Sequence, residues 1–123
     1  MNNYLTKEQL KAKLSLGKSI EQWLGHYESE GETILKWVNI YSDKEGYHVV
    51  YIECYDQGSV DNLDISDFTG LDPDEPYGLT DTFYTLDEAV GFSLDKYSAE
   101  MDKFVNNGMI QDEYLKYLNN KSD

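Results

Sequence analysis

The sequence predicts an α+β fold: an antiparallel sheet of three to four strands with two short N-terminal helices and a long C-terminal helix packed on it. Two runs rich in β-branched and aromatic residues, 33–41 and 47–55, flank a short polar turn that contains Gly46. An apolar stripe at helical spacing begins at Leu86 and continues to Val105. The 123 residues fit one domain, which we expect to span 1–123.

The first predicted helix follows a capping box near the N-terminus. Thr6 is the N-cap residue and Gln9 occupies the third helical position, where its side chain can bond back to the N-cap backbone. Leu10 and Leu14 follow at a spacing of four residues, so they share one face. Gly17 ends this short helix.

A second short helix is predicted directly afterwards. Ser19 and Gln22 repeat the capping pattern, and apolar residues then follow at intervals typical of one helical stripe. That stripe consists of Ile20, Trp23, Leu24 and Tyr27. The helix is expected to end near Tyr27, and a turn is expected over residues 28–31.

The runs 33–41 and 47–55 are predicted to pair as a β-hairpin across the five-residue turn 42–46. In the second strand, strict alternation separates two faces. One face is predicted to be core and carries His48, Val50, Ile52 and Cys54. The other either packs under the N-terminal helices or forms a part-exposed tyrosine platform, and it carries Tyr47, Val49, Tyr51, Glu53 and Tyr55.

Less regular structure is predicted between the hairpin and the long helix. A third short strand is expected at 63–65 and a further strand at 79–84. Residues 70–78 contain both prolines and are expected to form a loop. Thr85 and Glu88 then cap a long helix over 86–106, and a final helix is expected over 111–118.

The charge of the chain is segregated along the sequence. The 51 residues from 45 to 95 contain 13 acidic residues and no Lys or Arg, whereas the remainder has 11 acidic residues and ten Lys. Like charges repel, and this repulsion destabilises the compact state. A cationic partner would relieve the repulsion, so the pattern predicts the class of partner. An ordinary solubilising acidic surface is the plainer interpretation.

Composition argues against several other classes of function. The net charge of −14 and the lack of Arg disfavour direct binding to nucleic acid or to an anionic membrane. No apolar run is long enough to cross a bilayer, and the N-terminus lacks the pattern of a secretory signal. Cys54 is the single cysteine, which agrees with a reducing compartment. We therefore expect a cytoplasmic protein.

The sequence gives little support for catalysis or for a bound metal. It contains no nucleophile elbow, no P-loop and no Rossmann glycine pattern. An EF-hand loop starting at Asp72 fails, because Tyr77 replaces its glycine and Phe83 its final glutamate. Cys54 has acidic neighbours and no nearby lysine, which disfavours a reactive thiolate. We predict that the protein is not an enzyme and has no cofactor.

The charge pattern gives a specific set of candidate contact residues. Carboxylates would provide electrostatic contacts to a basic partner, and Tyr77 would be the aromatic anchor. The predicted acidic contacts are Asp61, Asp64, Asp67, Asp72, Asp74, Glu75 and Asp81.

In size, acidity, lack of Arg and the tyrosine-rich strand 47–55, the chain resembles the immunity proteins of bacterial toxin systems, including those of contact-dependent inhibition and colicins. The resemblance implies tight binding to a cognate toxin, most often a nuclease, so that its active or nucleic-acid-binding surface is covered. Three alternatives stay open: a phage-type anti-restriction protein that mimics nucleic acid, a carboxylate-based domain that binds a divalent metal or is enzymatic, and a housekeeping adaptor whose acidity is incidental.

Overall fold

A computed structural model describes residues 4–72, 74 and 78–121 of the chain. The fold is α+β, with one antiparallel sheet and helices on both of its faces. The strands are β1 (Ile20–Ser29), β2 (Glu32–Asp43), β3 (Gly46–Tyr55), β4 (Leu79–Phe83) and β5 (Val105–Asn106). The helices are α1 (Lys7–Ser15), α2 (Leu86–Tyr97) and α3 (Ile110–Lys121), with a 3-10 turn at Ile65–Asp67.

The five strands lie in the order β4-β3-β2-β1-β5, so β4 and β5 form opposite edges of the sheet. The predicted number of three to four strands is therefore wrong. The hairpin β2–β3 is confirmed, and its register places Ile40 opposite Val49 and Lys36 opposite Glu53. The predicted strand at 79–84 is also confirmed as β4, which pairs with the first half of β3.

Each face of the sheet has its own buried cluster. On the α1/α2 face, Val38, Ile40 and Val49 pack with Leu10 of α1 and Val90 of α2. The α3 face is covered by helix α3 and by the chain between β3 and β4. Its buried cluster includes Leu35, Trp37, Cys54, Ile65 and Tyr114. Because both faces are covered, apolar residues of both parities along β2 are buried.

The predicted second helix is wrong, because residues 20–29 form strand β1. The register of β1 against β2 shifts between Trp23 and Gly25, which marks a β-bulge at Leu24. A bulge adds one residue and resets the alternation of side chains. Apolar residues at 20, 23, 24 and 27 therefore imitate the three- and four-residue steps of a helix.

The predicted long helix is wrong in its extent, because α2 ends at Tyr97. Ser98 adopts a left-handed conformation with φ of 60°, and its N–H bonds the carbonyl of Ser93. The chain then runs as a connection whose Glu100 backbone is held at two points by the Gln22 side chain, at 2.7 and 2.9 Å. The apolar residues that continued the stripe, such as Phe104, enter the core from this connection and from β5.

Three smaller predicted elements have different outcomes. The strand predicted at 63–65 is wrong, since Ile65 begins a 3-10 turn and buries its side chain against α3. The first helix is confirmed, with both hydrogen bonds of the capping box between Thr6 and Gln9. The predicted final helix is confirmed as α3, although its bounds are slightly wider.

Helix α3 is fixed to the sheet by a buried carboxylate. Glu21 of β1 accepts the backbone N–H of Gly108 at 2.8 Å and that of Ile110 at 3.3 Å. Its second oxygen accepts the side-chain amide of Asn39. Free N–H groups at a helix start favour a negative charge, so Glu21 stabilises the α3 N-terminus.

Candidate functional site

The edge of the sheet beside β3 is interrupted at one point. Leu79 of β4 pairs with Tyr51, whereas the Leu71 N–H donates to the carbonyl of Glu53 at 2.9 Å. Ile52 lies between these two contacts. The chain thus leaves the edge at Leu71 and returns to it at Leu79. Loops inserted in this way on a rigid sheet are common positions for binding residues.

Glycine is required where the chain rejoins the edge. Gly78 has a φ of +94°, which disfavours any residue with a side chain. A Cβ atom at this position would also lie 2.6 Å from the carbonyl oxygen of Tyr51 and 3.0 Å from Cγ1 of Ile52. The backbone therefore approaches β3 more closely here than a larger residue would permit.

A cavity of about 270 Å³ lies at this interruption of the edge. Its walls are mainly apolar, and its lining includes one half-buried carboxylate. Leu79 is 47% exposed, so one apolar wall is accessible from solvent. The lining residues are Tyr51, Glu53, Leu71, Asp72, Gly78 and Leu79.

Two tyrosine hydroxyls hold the carboxylate of Glu53. Tyr27 of β1 donates to Oε1 at 2.8 Å and Tyr51 donates to Oε2 at 2.5 Å. Tyr27 reaches Glu53 across β2, where the opposing position in β1 is Gly25 and carries no side chain. The ring of Tyr97, at the end of α2, stacks on that of Tyr51 with centroids 4.1 Å apart and planes 2° from parallel. The carboxylate is thus fixed in orientation.

Both tyrosines stay protonated at neutral pH. Burial, followed by the hydrogen bond to Glu53, raises the pKa of Tyr27 to about 12. The same two causes, burial first, raise the pKa of Tyr51. Burial and the nearby carboxylate of Asp81 raise the pKa of Tyr97. The tyrosines therefore act on Glu53 as hydrogen-bond donors and do not add negative charge.

Within the described parts of the chain, the charge of Glu53 has no ion-pair partner within 4.0 Å. Lys36 lies directly opposite Glu53 in the register of β2 and β3, yet it makes no such contact. The cavity therefore presents an oriented carboxylate together with apolar walls. This chemistry suits a cationic group that has an aliphatic stem.

The structure divides the predicted contact residues into two groups. Asp72 and Asp74 lie where the chain leaves the sheet edge, and Asp81 lies in β4 on the α1/α2 face. All three side chains are exposed. Asp72 lines the cavity, and Asp81 is close enough to Tyr97 to affect its pKa. These three residues and the cavity share one edge of the molecule.

The second group lies on the opposite face of the sheet. Asp61, Asp64 and Asp67 belong to the chain around the 3-10 turn, which packs against α3. Asp64 accepts a hydrogen bond from the side chain of Gln111 in α3 at 3.0 Å. Glu75 and Tyr77, the two other predicted contacts, lie outside the described residues.

Other reactive side chains have structural roles. Burial, with a smaller effect of Asp56, raises the pKa of the Cys54 thiol to about 12, so the thiol stays protonated. Both ring nitrogens of His48 are engaged, by Asp43 at 2.7 Å and by Thr82 at 2.8 Å. Over residues 4–72, 74 and 78–121, no three His, Cys, Asp or Glu side chains are placed to hold a metal ion.

Comparison with known proteins gives no relative: no family model, curated protein or solved structure matches this chain significantly. Among the described helices, none is both long and apolar enough to cross a membrane.

Sequence reasoning missed the residues that shape the cavity. Tyr27 and Tyr97 were expected on helices as parts of apolar stripes, and Glu53 was expected only as one polar member of a tyrosine-rich face. The available signal was Glu53 itself, a carboxylate in the middle of a strand face with tyrosines on both sides. A charged side chain that is partly buried requires hydrogen-bonding or charged partners, so a Glu at this position indicates a specific environment.

Proposed function

We propose that this chain binds and neutralises a basic protein, as an immunity protein for a nuclease toxin, by covering the cationic surface of that protein. The observation that carries the proposal is the placement of charge across the sheet. The lysine-free segment 45–95 contains β3, β4 and most of α2, and these elements form the β4 side of the molecule. Lys44 directly precedes this segment, and Lys96 lies in the last turn of α2. The lysines lie mainly elsewhere.

The side of the molecule that carries the β5 edge is comparatively rich in lysine. Helix α1 packs on β1 and β2, and β5 forms the edge beyond β1. Six of the ten lysines belong to elements on that side: three lie on α1, one between α1 and β1, one just before β5 and one on α3. They are Lys7, Lys11, Lys13, Lys18, Lys103 and Lys116. The sheet order therefore places Asp72, Asp74 and Asp81 on the side away from these lysines, whereas Asp61, Asp64 and Asp67 lie beside α3.

Most described acidic residues of the segment 45–95 have no lysine close enough to form an ion pair. Among the acidic residues of the segment 45–95 that the structure describes, only Asp56 has a lysine within 4.0 Å, namely Lys121 at 3.4 Å. Exposed unpaired carboxylates on one side create a directional field, which accelerates encounter with a cationic protein. Charge gives speed and selectivity, while apolar and aromatic groups at the centre of an interface provide most of the affinity.

The direct test uses the gene that lies directly upstream. We expect a toxin whose C-terminal nuclease domain is encoded directly upstream. Co-expression with that domain should permit bacterial growth, and the purified pair should form a one-to-one complex without nuclease activity. An upstream domain that remains toxic and does not bind this chain would contradict the proposal.

The charge-reversal pair Asp72→Lys and Asp81→Lys makes this test specific. Both residues are exposed on the β4 side, so folding should be little affected. The matched control is Glu100→Lys with Asp102→Lys, two exposed residues in the connection that leads to β5. Only the β4-side pair should weaken neutralisation. Equal loss with both pairs would mean that overall charge, and not its placement, determines binding.

A further inference from the structure

From the cavity beside β4 we infer a receptor for a single arginine side chain of the basic partner; this inference rests on the proposed function. The first argument is the chemistry of the lining. Tyr51, Leu71 and Leu79 provide apolar surface for an aliphatic stem, and Glu53 provides the charge for its head group. A volume of about 270 Å³ accommodates one long side chain.

The second argument is the remaining hydrogen-bonding capacity of Glu53. A carboxylate accepts about two hydrogen bonds at each oxygen. Tyr27 uses one position at Oε1 and Tyr51 uses one at Oε2. Among the described residues, no other group bonds to the Glu53 carboxylate, so one position is left on each oxygen. A planar guanidinium donates two parallel N–H bonds to such a pair, whereas an ammonium group is a point charge.

The third argument is charge complementarity around the entrance. Asp72 lines the cavity, and Asp81 lies on the same face of the neighbouring strand. Lys36, the nearest cation in the sheet register, forms no ion pair with Glu53 in the described structure. An arriving arginine therefore meets Asp72 at the cavity wall and the field of Asp81 nearby as it approaches the fixed carboxylate of Glu53. A desolvated arginine in a pocket is a common interface anchor.

The test uses N-acetyl-arginine methylamide as the probe. Its binding is measured from the changes that it causes in the protein's backbone amide chemical shifts in nuclear magnetic resonance spectra. We expect saturable, weak binding that shifts the amides of Glu53, Gly78 and Leu79. The lysine analogue should bind more weakly, and the citrulline analogue, which keeps the shape but lacks the charge, should not bind. Equal binding of citrulline, or shifts spread over the whole acidic segment, would overturn the inference.

Two variants locate the binding in the cavity. Glu53→Gln removes the charge with little change of shape and should weaken arginine binding at least about tenfold. Leu79→Phe, at an exposed position of an edge strand, narrows the cavity without altering Glu53 and should also weaken binding. Glu100→Gln, near β5, is the control and should bind like the wild type. Unchanged binding by both cavity variants would overturn the inference.

The same variants separate this inference from the proposed function. If the upstream-encoded nuclease domain binds Glu53→Gln and Leu79→Phe as it binds wild type, yet fails with the β4-side charge reversal, the arginine receptor is wrong and the proposed function stands. If that domain does not bind the wild-type chain at all, while the arginine analogue still enters the cavity, the proposed function is wrong.

Discussion

The buried residue Glu21 joins the sheet to helix α3 and makes the stability of the fold depend on pH. Burial raises the pKa of Glu21 above its ordinary value of 4.5, although bonds from Gly108, Ile110 and Asn39 oppose that rise. The folded protein therefore holds this proton more tightly than the unfolded chain. The contribution of the residue to stability is full below pH 4.5 and is lost as pH rises through the folded-state pKa.

Substitution of Glu21 tests this linkage. Glu21→Gln cannot titrate but keeps an oxygen for the N–H groups of Gly108 and Ile110. Its stability relative to wild type should therefore increase between about pH 4 and about pH 7. Glu21→Ala leaves the buried N–H of Ile110 without an acceptor and should cost about 1–3 kcal/mol throughout. Urea unfolding at both pH values measures these differences, and parallel pH profiles of wild type and Glu21→Gln would contradict the assignment.

At the residue scale, the limit of sequence reasoning is distance along the chain. The capping pair Thr6 and Gln9 is local and was predictable. The contact between Tyr27 and Glu53 spans 26 positions. It depends on strand β1, whose apolar spacing predicts a helix. Similarly, the Gln22 side chain bonds the backbone of Glu100, 78 positions away. No spacing rule connects such residues.

Strands and helices differed in how well the sequence predicted them. Strands β2 and β3 were predictable because β-branched and aromatic residues fill both runs and Gly46 lies in their turn. Strand β1 was not, because its bulge changes the period of the apolar residues. The end of α2 was missed because Ser98, and not a glycine, takes the left-handed position. The apolar residues beyond it continue a helical spacing without continuing the helix.

Rejoining of β4 to the sheet edge depends on a single glycine. Gly78→Ala combines an unfavourable positive φ with contact between the new Cβ and the Tyr51 carbonyl. Gly31→Ala is the matched control, because Gly31 has a φ of +82° and open space around the Cβ position. The control should lose about 1 kcal/mol through strain alone. Gly78→Ala should lose about 1–3 kcal/mol more. Equal free energies of unfolding for the two variants would contradict this account of the edge.

For the whole molecule, the central feature is a charge pattern that the sheet order turns into a difference between two sides. The sequence showed that acidic residues are concentrated in 45–95, and from this we predicted that all the acidic contacts belong to one surface. The structure separates Asp72, Asp74 and Asp81 at the β4 edge from Asp61, Asp64 and Asp67 beside α3. This division could not be predicted, because it depends on how the chain between β3 and β4 crosses the α3 face.

The most direct test is the rate of association with the proposed partner, the nuclease domain that we expect to be encoded upstream, measured against ionic strength by stopped flow. The two charge-reversed pairs change the net charge equally, so they differ only in the side of the sheet that they alter. At low salt, Asp72→Lys with Asp81→Lys should slow association at least about tenfold and flatten its salt dependence. Glu100→Lys with Asp102→Lys should stay within about twofold of wild type. Equal slowing by both pairs would contradict the claim that the β4 side carries the docking surface.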